Sequence, residues 1–534
     1  MKRIACLTLV LALALPFLTG CMPPMPVVSQ DTPFTALACQ VPGDAEQAYF
    51  LNLKPEGEVG QHWARIRRQL EANPTGQQVL TELLRPFRVE RYGLSELIPG
   101  SAVSGYWHNV EYVAVHINDG DEETAAQALL QRLWSDAMWE QEEYQGQTLY
   151  YGRSKDAWQT RERVAWTIHD GLLFLVSRHG DQQAAEEVLT QLKTLVSLDQ
   201  AHSLAALPAW RTLGHRLPVA PMGLMFFNVA ETARRNPPPR GSPVAALGQQ
   251  IETLALSAVP EEAGMRVEIA GTVTLQQDAL PHVEALFDLP TLDPAAWPEL
   301  PANTALTLIS YDASVLWPFL REMFNLEALE QATDVIGLDV EADLMGAEGP
   351  LIRDFALAIT PPLPSQPVGQ GLPAGQLLIL ARGVSQTHMA AVQAAMEGRG
   401  AVFGPEEVEG LALQTQVGTA PAGYAISHGV DDGTLFFGSS PQIVGQAIAA
   451  RDESDGLVTQ DAFQSLLALP PEEPTLAFYL HSERWASLMK ANMTAERYQN
   501  NPEYQGLEVF QAIGLKLQLT SDGIEGVAYF FVPQ

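Results

Sequence analysis

Basic residues are scarce in this chain. Thirty-one Lys and Arg stand against 63 Asp and Glu, a formal charge of −32 at pH 7. Nucleic-acid binding needs a basic surface that displaces counterions from phosphate, so that partner class is excluded. A polybasic grip on anionic lipid is excluded in the same way. Cysteine is scarcer still, with only Cys6, Cys21 and Cys39 in 534 residues. Cys6 and Cys21 fall in a targeting segment, so Cys39 is left alone and no disulfide can form within the body. Burial and hydrogen bonding must hold that body together. Cys39 reads as a small apolar residue near the first strand, with no neighbouring His or Lys in sequence to activate its thiol.

The usual signatures of catalysis are also missing. No H-E-x-x-H, G-x-S-x-G, G-x-G-x-x-G or Walker loop occurs. Eleven histidines are scattered without an i, i+4 pair. His428 and His481 lie on apolar strand segments of one half of the chain and would read as core histidines even if they met. Ser487-Leu488-Met489-Lys490 fits S-x-x-K, in which Lys assists a Ser nucleophile, but the partner motifs K-T-G and S-D-N are absent. The bland reading is a helix with Trp485 and Leu488 packed inward. The acidic runs 119–123 and 452–456 lack the spacing of a calcium loop. Acids in the first run suit the start of a helix instead. The sequence therefore names no catalytic, cofactor-binding or metal-binding residue, and it implies no cofactor.

What is present begins at the N-terminus. Met1-Lys2-Arg3 is followed by an apolar stretch from Ile4 to Leu18, about 15 residues, short of the roughly 20 that span a membrane as helix. A charged start, a short apolar run and a small-residue exit make a signal peptide. The exit, Leu18-Thr19-Gly20-Cys21, resembles the lipobox of bacterial lipoproteins. That resemblance implies diacylglyceryl transfer to Cys21 and cleavage before it. Two acyl chains give stable anchoring where one gives marginal binding. Cleavage removes Lys2 and Arg3 and no acid, taking the formal charge to −34. Residues 21–40 contain Pro23, Pro24, Pro26 and Pro33 and read as a tether. Met22 after the cysteine, where Asp would resemble an inner-membrane retention signal, favours the outer membrane if the organism has one.

The body repeats itself. "VPGDAEQAYFLNL" from Val41 and "LPANTALTLISYD" from Leu300 are each a proline-led turn followed by an alternating strand. Trp63 and Trp317 follow on helical segments. Further on, 165–189 matches 425–449 as strand, tight turn, strand and helix, with Asp170-Gly171 and Asp432-Gly433 as the turns. Then 208–232 parallels 461–486, and alternating strands close each half. We read the fold class as α+β: two tandem repeats of antiparallel sheet with amphipathic helices packed on one face. The domain reading is 1–20 signal peptide, 21–40 tether, 41–276 first repeat, 277–299 linker and 300–534 second repeat. Two proline-rich loops, 234–243 and 360–375, have no counterpart in the other repeat.

A lipobox or signal, a proline-led first strand, a following Trp, and D-G-x-L-x-x-x-S hairpins before a helix together resemble the bacterial family called domain of unknown function 3352 (DUF3352). The resemblance covers nearly all of 40–534. It implies an envelope location and a repeated α+β body, and it brings no catalytic residues. The functional expectation is a lipid-anchored, extracytoplasmic, non-catalytic protein that binds an envelope protein or ligand, with the membrane as a partner through Cys21. An enzyme acting on wall or polysaccharide and a carrier of lipid or apolar cargo are the alternatives.

Overall fold

The structure is a computed structural model. It describes residues 34–533 apart from 53–54, 73, 85–100, 118–123, 125–126, 129, 131–136, 155–160, 181, 217–220, 236–241, 276–280, 325–338, 345–352, 363–374, 418–424, 500–505 and 522. Cys21, the signal peptide and the tether as far as residue 33 lie outside the described residues. The chain is α+β and divides into two compact units, residues 23–238 with 251–272, and residues 239–250 with 273–534.

In the first unit ten strands are antiparallel neighbours. They are β1 (Gln47–Asn52), β2 (Ser101–Trp107), β3 (Val110–His116), β4 (Ala137–Tyr144), β5 (Gln147–Ser154), β6 (Arg161–His169), β7 (Leu172–Gly180), β8 (Gly223–Asn228), β9 (Ile251–Pro260) and β10 (Gly264–Val273). Their pairings give the order β4-β5-β6-β7-β3-β2-β1-β8-β9-β10. Helices α1 (Thr35–Ala38), α2 (Gly57–Glu71), α3 (Pro74–Leu84), α4 (Gln182–Val196), α5 (Pro208–Arg216) and α6 (Val229–Arg235) complete it. Alternation along the strands separates two faces. One buries Ala48, Phe50, Val103, Tyr112, Phe174 and Val176 under Val188, Leu192 and Leu195 of α4 and Trp210 and Leu213 of α5. The other carries a smaller cluster around Val113, Val115, Trp166 and Leu175.

The second unit contains β11 (Leu306–Tyr311), β12 (Asp354–Thr360), β13 (Gln376–Arg382), β14 (Phe403–Val408), β15 (Leu411–Gln416), β16 (Ser427–Asp431), β17 (Thr434–Gly438), β18 (Leu476–His481), β19 (Ala512–Thr520) and β20 (Gly523–Phe531). Their order is β14-β15-β16-β17-β13-β12-β11-β18-β19-β20. Strand for strand this is the order of the first unit. The helices are α7 (Pro243–Gly248), α8 (Pro281–Phe287), α9 (Ala313–Phe324), α10 (Gln386–Gly398), α11 (Pro441–Glu453), α12 (Asp461–Leu467), α13 (Ser482–Asn492) and α14 (Ala495–Gln499). Two tandem copies of one antiparallel α+β arrangement are thus present.

The matching extends to single residues. Pro42 bridges to Ser203, and Pro301 bridges to Gly456. The amides of Leu204 and Leu457 donate to the carbonyls of Val41 and Leu300, each at 2.7 Å. The β6–β7 hairpin turns on Asp170 (φ 49°) and Gly171 (φ 74°), and the β16–β17 hairpin on Asp432 (φ 44°) and Gly433 (φ 75°). Two successive positive φ angles are those of a type I′ turn, which suits the right-handed twist of the flanking strands.

Three boundaries differ from the sequence reading. Residues 34–40 are no tether: α1 forms there, and Phe34, Leu37 and Ala38 are fully buried in the first core. Residues 281–299 are no open linker, because Val283, Leu286, Phe287 and Trp297 are buried. Two prolines of this stretch start structure: Pro281 opens α8, and Pro294 opens a 3₁₀ turn over Pro294–Ala296. Proline fits a first helical position because the amide it lacks would be unpaired there. The loop 234–243 is also narrower than expected, since Arg234 and Arg235 end α6 and Pro243 opens α7. Within the second unit, Ser242 caps α7 through the amide of Ala245 at 2.9 Å, and Glu322 of α9 accepts from the amide of Val244 at 3.2 Å. The interiors of both loops, 236–241 and 363–374, lie outside the described residues.

Candidate functional site

The residues singled out for chemistry do not assemble. Ser487 is exposed within α13, while the Lys490 ammonium sits 2.5 Å from Glu508 Oε1 and 5.0 Å from the centre of the Tyr498 ring. His428 on β16 and His481 on β18 are separated by the four strands β17, β13, β12 and β11, roughly 24 Å at the usual strand spacing. His428 packs between Phe403 and Phe437, with ring centres 5.4 and 6.4 Å away, and its Nε2 has no hydrogen-bond partner. Burial pushes its pKa down to about 4, so the ring is neutral. The acidic run 119–123 lies outside the described residues. In the run 452–456, Asp452 accepts from Arg451 and Ser454 ends α11 in the left-handed region. Among the described residues no three His, Cys, Asp or Glu side chains converge as a metal-holding group. Cys39 is half-buried, and burial pushes its thiol pKa up, away from the reactive thiolate.

Among the described residues of the first unit one dense polar constellation was not legible in the sequence. It forms where the start of β1, the end of β2 and the end of β8 meet. Arg235 at the end of α6 reaches Glu46 Oε1 at 2.7 Å and Glu231 Oε1 at 2.6 Å, and lies 3.5 Å from Asp44 Oδ2. The Asp44 carboxylate accepts from Trp107 Nε1 at 2.8 Å and lies 2.8 Å from His108 Nε2. Glu231 also pairs with Arg234, whose hydrogen bond holds the Glu231 carboxyl below its ordinary pKa. Asn228 caps α6 through the amide of Glu231 at 3.1 Å. The arrangement is locally dictated. Glu231 stands three and four residues before two arginines, the spacing that brings side chains together on a helix. His108 and Asn109 make the two-residue β2–β3 turn with φ 52° and 64°, which holds the imidazole beside Asp44. Arg235, Glu46 and Glu231 are mostly buried, whereas Arg234, His108 and Asp44 remain accessible. Such a cluster can present charge and hydrogen bonds to a partner from a braced position.

The matching end of the second unit is built differently. Equal strand registers place Asn303 where Asp44 stands, Ala305 for Glu46, Thr360 for Trp107, Arg484 for Glu231 and Leu488 for Arg235. Arg484 on α13 donates to the carbonyls of Ala302 and Thr304. Nearby, Gln376 Oε1 accepts from Ser439 at 3.2 Å and from Ser440, which caps α11 through the amide of Ile443. The two-residue β2–β3 turn is replaced by the connection 361–375. Sequence reasoning could find the loop but not the network, whose ion pair Arg235–Glu46 spans 189 residues.

Similarity to solved structures is slight. Crystal form I of TP0453 has 10% identity and a TM-score of 0.25, covering 50% of this chain and 88% of that one. Form III has 8% identity and a TM-score of 0.23, covering 48% and 88%, and form IV has 9% and 0.22, covering 43% and 80%. No curated protein matches. A family model described as "Protein of unknown function (DUF3352)" matches residues 112–531, most of the chain, and the protein therefore belongs to that family.

Proposed function

We propose that this chain is a lipid-anchored, extracytoplasmic binding or scaffold protein of the bacterial envelope, held by lipid on Cys21, and not an enzyme. The observation that carries the anchoring is Leu18-Thr19-Gly20-Cys21 at the end of a charged-then-apolar leader. The partner-binding reading is supported by where the two copies diverge. A shared scaffold with different groups at one sheet end is the usual arrangement of a binding surface. That end carries Asp44, His108 and Arg234 in the first unit and the connection 361–375 in the second. The test is capture of a partner from native membranes by the lipidated protein. Deleting residues 362–372 should weaken capture and leave the melting temperature nearly unchanged. Unaltered capture would count against this surface.

A further inference from the structure

We propose that the first unit turns the surface around α1 towards the bilayer and stands close to it without inserting. This rests on the lipid anchor at Cys21. Phe34, Leu37 and Ala38 are fully buried among Phe50, Trp210 and Leu204, so the chain is fixed to the body from Phe34 onwards. The 3₁₀ turn Pro294–Ala296 precedes Pro301 in the second unit as α1 precedes Pro42 in the first. This segment therefore belongs to the fold and does not lengthen the leash. Twelve residues, 22–33, then separate the lipidated cysteine from Phe34. A peptide chain covers at most about 3.3–3.6 Å per residue, so Phe34 lies within about 45 Å of Cys21 whatever path those residues take.

The surface beside α1 suits proximity and not insertion. Ala36 is exposed, and the adjoining turn, whose His202 carbonyl accepts from the amide of Gly43, shows Asp199, Gln200 and His202 to solvent. Among the described residues the exposed large hydrophobics are Val402 and Val417, both in the second unit. Among the described residues of the first unit nothing apolar and large is therefore exposed to enter the acyl layer. Asp44 and Asp199 carry the wrong sign for anionic headgroups. The partner that this surface meets is the headgroup layer.

The test uses the lipidated full-length protein in vesicles of phosphatidylethanolamine and phosphatidylglycerol that contain an acceptor-labelled lipid. In a Cys39→Ser background, a donor is placed either at Ala36→Cys or at Gln145→Cys. Gln145 lies in the β4–β5 turn, and β4 is six strands from β1, about 29 Å away. Energy transfer is expected to be several-fold higher from position 36. Inserting 24 Gly and Ser residues after Gln30 should lower transfer from position 36 at least twofold. Flotation with the vesicles is read on the same samples. Failure to float removes the anchor and the inference with it. Flotation with equal or lower transfer from position 36, or with no response to the insertion, overturns the orientation alone.

Discussion

Replacing His428 with Leu should remove a measurable part of the acid sensitivity of the second unit. The imidazole is 4% exposed, packed against Phe403 and Phe437, with Nε2 unpaired. Burial lowers its pKa from 6.5 to about 4. The unfolded chain therefore binds the proton more tightly than the folded one. The stability this site contributes is complete above pH 6.5 and is lost as pH falls from 6.5 towards 4. At pH 5 the linkage amounts to about 2 kcal/mol, and near pH 7 to only about 0.2 kcal/mol. Leucine does not titrate and leaves no orphaned nitrogen, so the variant should match the parent within about 1 kcal/mol at pH 7. At pH 5 it should exceed the parent by about 2 kcal/mol, roughly 4–8 °C in melting temperature for a unit of this size. His282 and His481, which burial also lowers, are common to both proteins and cancel in the difference. Calorimetry from pH 4.5 to 7.5 checks the magnitude, and NMR titration of the His428 ring checks the cause. Parallel melting curves, or a ring midpoint near 6.5, would refute the reasoning.

Cys21→Ala should abolish incorporation of a clickable fatty acid, and undiminished label in the variant would end the lipoprotein assignment. Gly171→Ala and Gly433→Ala should each cost about 1–2 kcal/mol, because both turns hold φ near 75° where a Cβ is strained. Equal losses in chemical denaturation are expected if the two hairpins are equivalent, and a loss at only one position would break the equivalence. Phe34→Ala should destabilise the first unit by about 3–5 kcal/mol, as for a buried ring. A change below 1 kcal/mol in urea unfolding would mean that α1 is dispensable to the core.

The repeat was legible because its signals are short-range. Asp170-Gly171 and Asp432-Gly433 fix their hairpins with two residues each, and alternation at the start of β1 marks its inward side chains, whereas β11 buries four residues in a row. The strand order was not legible, because pairing β1 with β8 joins residues about 175 positions apart and no local pattern encodes that choice. Proline misled in one direction. By composition Pro281, Pro294 and Pro243 read as breakers, yet each opens a helical turn, where a missing amide costs nothing. The polar network escaped for a further reason. Glu231 with Arg234 and Arg235 reads in sequence as an ordinary exposed helical pairing. Only the fold brings Glu46 and Asp44 to the same guanidinium.

The two copies bear differently on function. Glu231, a mostly buried acid paired with two arginines, has Arg484 as its counterpart, and Arg235 has Leu488. A charge reversed at one matched position and deleted at another cannot keep the same electrostatic surface. Buried ion pairs are seldom the cheapest way to stabilise a fold, since apolar residues of similar volume often do as well. Leu488 shows that the scaffold accepts such a residue at the matched position in its other copy, packed against Gly375. The network in the first unit is therefore not required by the architecture. What it adds is the accessible Asp44, His108 and Arg234, the groups that the proposed binding surface would present in the first unit.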